Sequence, residues 1–161
     1  MSGAMHTHRP LCLIIATTLL CLAGGGAFAQ SCDAPEPANF TISAPAPSVA
    51  PEAAGFSGVW AGNWLLAGQG GNRISQCARI HVSVVDSHRA AVAYCYGTRT
   101  DVGTAPQCDP VYAGVLRGPY LIFFTTGGVN ISLQLKGPGT AQAIGDFPHD
   151  QPTIVTDFQK L

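Results

Sequence analysis

Gly127-Gly128-Val129-Asn130-Ile131-Ser132-Leu133-Gln134-Leu135-Lys136-Gly137-Pro138-Gly139 reads as one β-strand between two turns. Val129, Ile131, Leu133 and Leu135 alternate with Asn130, Ser132, Gln134 and Lys136. A period of two gives a strand with one dry face and one wet face. Gly127-Gly128 is a hairpin signal and Gly137-Pro138-Gly139 a second turn, so the strand's sequence neighbours should pair with it antiparallel.

The same reading extends in both directions. Upstream lie Tyr120 to Thr125, nearly all apolar, then Pro110 to Leu116, Ala90 to Tyr96, Ile74 to Val85 and Phe56 to Leu66. In the Ile74–Val85 strand, Ala78, Ile80, Val82 and Val84 alternate with Cys77, Arg79, His81 and Ser83. Downstream come Ala141 to Phe147 and Thr153 to Lys160. Turn clusters separate these runs, and one longer polar loop spans Gly97 to Asp109. After Phe56 there is no Glu, and the only lysines are Lys136 and Lys160, so the usual residues of exposed helix faces are missing. No stretch carries a helical period. Short strands joined by tight turns cannot form parallel crossover units. The prediction for residues 56–161 is therefore an all-β fold, an antiparallel up-and-down meander of about eight strands. Closure into a small barrel hides its edges; a β-sandwich is the alternative.

The 161 residues carry a net charge of −1, so no electrostatic argument points to nucleic acid or an anionic membrane. The chain opens with Arg9 as its one fixed side-chain charge, continues through an apolar run from Leu11 to Leu22, and reaches Ala27-Phe28-Ala29. This is the order of a secretory signal peptide over residues 1–29, with cleavage before Gln30. The uncleaved-anchor alternative is opposed by Gly24-Gly25-Gly26 and the small residues at the cleavage site. Removing that segment leaves Cys32, Cys77, Cys95 and Cys108. An even number of cysteines in an exported chain implies disulfides, and the lack of a close C-x-x-C pair argues against a metal site. Three connectivities are open. The strand layout favours Cys77–Cys95, which would leave Cys32 to join Cys108. Residues 30–55 are interrupted by Pro35, Pro37, Pro45, Pro47 and Pro51 and read as an extended, exposed linker or tail.

Chemistry is sparser. There is no G-x-S-x-G elbow and no H-E-x-x-H helix. His81 is expected on the outer face of its strand, and His88 and His149 in loops. Gly68 to Gly71 lacks the Lys and helix of a phosphate loop. No cofactor is implied, and the chain is expected to be non-enzymatic. Trp60 and Trp64 share a face with Gly58 and Gly62, which suits either a barrel core or an aromatic wall. Trp60, Trp64, Tyr94, Tyr112 and Phe124 are the residues predicted to line a ligand site.

Gly58-Val59-Trp60 at the first strand resembles the G-x-W signature of lipocalins and other calycins. In those proteins a basic residue near the C-terminal end of the barrel packs across the Trp. The resemblance implies that role for Lys160, and a structural role for Gly58 as part of the motif. Trp64, Cys77 and the tail at 30–55 also resemble the small secreted calycin-like inhibitors of bacterial metalloproteases, whose tail enters the protease. The start Phe56-Ser57-Gly58-Val59-Trp60-Ala61-Gly62-Asn63-Trp64 is similar, too, to small β-domains of exported bacterial proteins without a settled role, which leaves an accessory domain as a further alternative.

The expected function is thus a secreted or periplasmic binding module. It would hold a small apolar ligand or present a surface to an extracytoplasmic protein, with no membrane span after cleavage. Intact mass measured without reduction on protein from its own compartment is expected to match residues 30–161 less four hydrogens. A mass that retains residues 1–29 would overturn the export reading.

Overall fold

The strict alternation of β7 (Asn130–Gly137) sets the phase of the sheet around it. Its buried Ile131 and Leu133 lie opposite Phe123 and Leu121 of β6 (Tyr120–Phe124), which turns those two inward as well. The computed structural model describes residues 32–148 and 152–161. The signal-peptide reading of residues 1–29 and the loop reading of His149 lie outside them.

The remaining strands are β1 (Gly58–Ala67), β2 (Arg73–Val84), β3 (Arg89–Tyr96), β4 (Gln107–Cys108), β5 (Tyr112–Arg117), β8 (Thr140–Asp146) and β9 (Ile154–Lys160). Every pairing is antiparallel. The order runs β2-β1-β9-β8-β7-β6-β5-β3, and β2 also pairs with β3, so eight strands close into a barrel. The sandwich alternative is thereby excluded. The short β4, inside the loop read as irregular, adds to β3 from outside the ring.

The barrel interior is filled. Trp60, Trp64, Phe123, Phe158, Ile80, Leu121, Ile131 and Leu133 are all essentially inaccessible. The closing seam is narrow: β1 and β9 pair only over Trp60–Gly62 and Phe158–Lys160. Gly62 sits opposite Phe158, and a Cβ there would lie 2.5 Å from the Phe158 ring. At the base, Gly58 has a φ of +134°, and a Cβ on it would meet the Lys160 stem at 2.5 Å. Lys160 Nζ lies 5.3 Å from the centre of the Trp60 ring and donates to the Gly55 carbonyl at 3.1 Å. Trp60 Nε1 donates to the Phe56 carbonyl at 2.8 Å. Phe56 and the short helix α1 (Pro51–Ala54) cover this end.

The disulfides are Cys32–Cys77 and Cys95–Cys108, which corrects the favoured Cys77–Cys95 pairing. The β2–β3 register is the reason. Cys95 stands opposite Arg79, two residues beyond Cys77, and directly across from Cys108 on β4. In the chain-entropy account, loops of 45 and 13 residues correspond to about 4 and about 3 kcal/mol of stabilisation.

The tail keeps many of its side chains exposed, as expected, and is docked as a strap. From Cys32 it follows the outer face of β2, where alternation presents Cys77, Arg79, His81 and Ser83 in turn. The Asp33 carboxylate accepts from the Thr98 hydroxyl and amide, and these bonds lower its pKa. Glu36 pairs with Arg79 and reaches His81 Nε2 at 3.6 Å. Phe40 meets the His81 ring edge-on at 6.3 Å, and the Ser43 amide donates to Ser83 Oγ at 3.2 Å. The Ala50 amide donates to Ser87 Oγ at 3.3 Å, and α1 follows at the base. His81 is on the outer face as expected, yet it is 3% exposed because the strap covers it.

Two outcomes follow from this packing. Gly62→Ala is expected to lower stability by about 1–3 kcal/mol through overpacking against Phe158. Gly137→Ala, whose Cβ would meet nothing within 4 Å, should change it by less than about 0.5 kcal/mol in the same urea titration. The second outcome concerns acid. Burial holds the His81 imidazole below its ordinary value, with Arg79 adding to the effect and Glu36 opposing it. The unfolded chain therefore takes up a proton first as pH falls below about 6.5, and stability present above that value declines toward the lower folded pKa. His81→Gln should flatten the loss between about pH 7.5 and about pH 5; parallel declines in the two proteins would exclude His81 as the group responsible.

Candidate functional site

The end of the barrel opposite α1 is open. There the start of β2, the end of β3, the β6–β7 turn, the residue after β8 and the loop at 97–111 surround a cavity of about 330 Å³. Its lining mixes hydrogen-bonding and aromatic groups: Gln76, Tyr94, Tyr96, Arg99, Thr104, Gln107, Asp109, Thr125 and Phe147, with Thr126, Gly127 and Val129 at the turn.

Each wall has a local cause. Gln76 and Ala78 continue the inward phase of Ile80 and Val82, so the strand brings an amide to the mouth once it passes the apolar layer. Gln76 Nε2 donates to the Gly97 carbonyl at 2.9 Å. Tyr94 and Tyr96 continue the phase of Val92, with ring centres 5.7 Å apart. Tyr96 is bonded through its hydroxyl to Gln107. Arg99 is clamped by Asp101 at 2.9 and 3.0 Å and donates to the Ala67 carbonyl at 3.1 Å, which ties the loop to the end of β1. Thr125 Oγ1 accepts the Val129 amide at 3.1 Å and shapes the β6–β7 turn. Both disulfides lie at this end and bracket the loop: Cys95–Cys108 closes it, and Cys32–Cys77 lies beside Gly97, where a Cβ would strike Cys77 and Asp33.

The five aromatics singled out from sequence separate. Tyr94 alone lines the cavity. Trp64 lies in the packed layer beneath, against Phe147 and Phe158 at 5.5 Å each. Tyr112 stacks on Phe123 at 6.2 Å, and its hydroxyl accepts the Thr126 amide at 2.9 Å, so it braces the turn. Trp60 belongs to the base. Phe124 is a correction: it points outward and is 65% exposed, while Phe123 fills the inward position. The run Tyr120 to Phe124 has no polar alternation to reveal its phase; pairing with β7 decides it.

Sequence reasoning passed over Gln76, Tyr96, Arg99, Thr104, Gln107 and Asp109. A signal for the first two was present, since both extend an inward phase that the apolar residues already define. The rest sit in the 97–111 segment, and their convergence depends on the disulfides.

Beneath the cavity, the Trp64 indole N–H is buried without a hydrogen-bond partner. The Tyr94 hydroxyl lies near it, outside bonding geometry, and burial pushes the phenol's pKa well above its ordinary value. Tyr94 is therefore a neutral phenol with a proton to give. A second recess, of about 400 Å³, lies at the base, but its one polar side chain, Lys160, is already engaged by the Trp60 ring and the Gly55 carbonyl. Among the described residues no cluster of His, Cys, Asp and Glu converges as metal ligands, and no helix is long and apolar enough to cross a membrane. The chain matches no protein-family model, no curated protein and no solved structure, so the mouth's own residues carry the functional argument.

Proposed function

We propose that this protein is an exported, non-enzymatic binding module that takes a small ligand at the open mouth of its barrel. The observation that carries the reading is the asymmetry of the two ends. The recess at the base is lined by Trp60, Leu135, Pro138 and glycines with Lys160 already engaged, whereas the other end opens on a walled cavity with convergent polar groups. A cavity of about 330 Å³ falls at the low end of the range for small-ligand sites, about 300–1,000 Å³. The filled interior leaves a deep apolar ligand little room, which favours a ligand seated in the mouth. Two disulfides and the N-terminal sequence pattern support a secreted or periplasmic location. The Lys160–Trp60 contact beside Gly58 supports kinship with calycins. The inhibitor reading is weaker, because the strap that would have to enter a protease is engaged along β2.

Gly127→Trp tests the site by plugging it. Gly127 lines the mouth, has no positive φ, and has only Thr125 Oγ1 near a Cβ, at 3.7 Å. Native mass spectrometry of protein from its own compartment is expected to show an adduct that is lost in this variant, with unfolding changed by less than about 1 kcal/mol. An adduct retained by the plugged protein would place binding elsewhere.

A further inference from the structure

We propose that the ligand of the mouth is a neutral polyhydroxylated ring of the sugar type, an inference that rests on the mouth being the binding site. Three features of the cavity select it. The first is the direction of the floor. Tyr94 is 5% exposed, and its hydroxyl lies beside the Trp64 indole N–H, which has no other partner. The indole N–H beneath it is donor-only. When the Tyr94 oxygen takes that N–H, the phenol proton is free to point into the cavity and meet an acceptor on the ligand.

The second feature is charge. Arg99 is the cation of the lining, and Asp101 already matches it with two bonds. Asp109 lies in the lining beside the Tyr112 hydroxyl and has no cationic partner among the described residues. An anionic ligand would find no free cation and would face this carboxylate. The Asp109 carboxylate accepts several hydrogen bonds and has room for a ligand donor beside Tyr112. A hydroxyl group accepts and donates at once, so a ring bearing several satisfies Tyr94 and Asp109 together.

The third feature is the pair of apolar surfaces. Tyr96 and Phe147 contribute aromatic side chains to the lining, offering dry contact for the C–H face of a ring between the polar contacts. An amphiphile would gain from those surfaces but would cover Asp109 and Tyr94 without offering a donor to the one or an acceptor to the other. A quaternary amine would satisfy Asp109 and leave Tyr94 without an acceptor.

The test is an amide-resolved NMR titration of the oxidised protein. The probes are glucose, galactose, N-acetylglucosamine and trehalose, with glucuronate, choline and decanoate as charged and apolar counterparts, each to about 100 mM. A neutral sugar is expected to shift the amides of Tyr96, Thr104 and Gly127 saturably, and Gly127→Trp to abolish the shifts. Tyr94→Phe should weaken binding about threefold to tenfold, as should Asp109→Asn, each with the rest of the spectrum unchanged. Saturable mouth shifts from glucuronate, choline or decanoate in preference to every neutral sugar would overturn the ligand class and leave the mouth as the site. Sugar binding indifferent to both substitutions would overturn the assigned contacts. No saturable shift from any sugar would overturn the proposal, and an adduct that survives Gly127→Trp would remove the reading beneath it.

Discussion

The first and last strands of this barrel meet over three residue pairs, and glycines make that meeting sterically possible. Trp60 and Trp64 fill the interior from one face of β1, and Gly62 between them leaves the gap into which Phe158 enters from β9. Gly58 does the same for the Lys160 stem, one step nearer the base. Large and small residues thus interlock across the seam, and the cation–π contact of Lys160 with Trp60 closes it at the bottom. If the seam opened, β1 and β9 would both become unpaired edges, and the packed layer under Tyr94 would lose its support. The order of the mouth is therefore set in part from the far end of the molecule.

The strap and the disulfides complete this arrangement from outside. Alternation on β2 sends Ile80 and Val82 inward and Arg79, His81 and Ser83 outward, so one strand serves the core and the strap at once. The strap's charged and aromatic contacts bury His81 and leave its Nε2 without a hydrogen-bond partner. Asp33 then fastens the beginning of the strap to Thr98, in the same loop that carries Arg99 and Thr104 to the cavity. Cys32–Cys77 and Cys95–Cys108 both act at that rim, where the long loop at 97–111 needs holding.

Much of the barrel was legible because alternation survives translation into structure. The phase of β7 and β2 could be read directly from their sequences, and strand count with tight turns led to antiparallel closure. Where alternation was missing, the reading slipped: Phe123 and Phe124 are both apolar, and only the partner strand tells which faces inward. The cysteine pairing depended on register, a matter of two residues that sequence spacing does not resolve. The proline-rich tail was legible as extended and largely exposed, but composition did not show the turn of helix at Pro51–Ala54 and says nothing of the side chains waiting on the sheet. The candidate site was the least legible part. Tyr94 was found as an aromatic, while its polar neighbours gather from a strand end, a loop and a turn far apart in sequence.

The β1–β9 seam also fixes an order of events. It joins residues near position 60 to residues near position 160, while the hairpins between them are local. The hairpins can form as the chain emerges, but the ring stays open until the last residues are available. During that interval Trp60, Trp64 and both flanking strand edges are exposed to solvent and to other chains. The low charge of the sequence, 11% against about 25% in an average domain, gives such an open form little electrostatic protection from self-association. Closing the β1–β9 seam is thus the step that removes both edges at once.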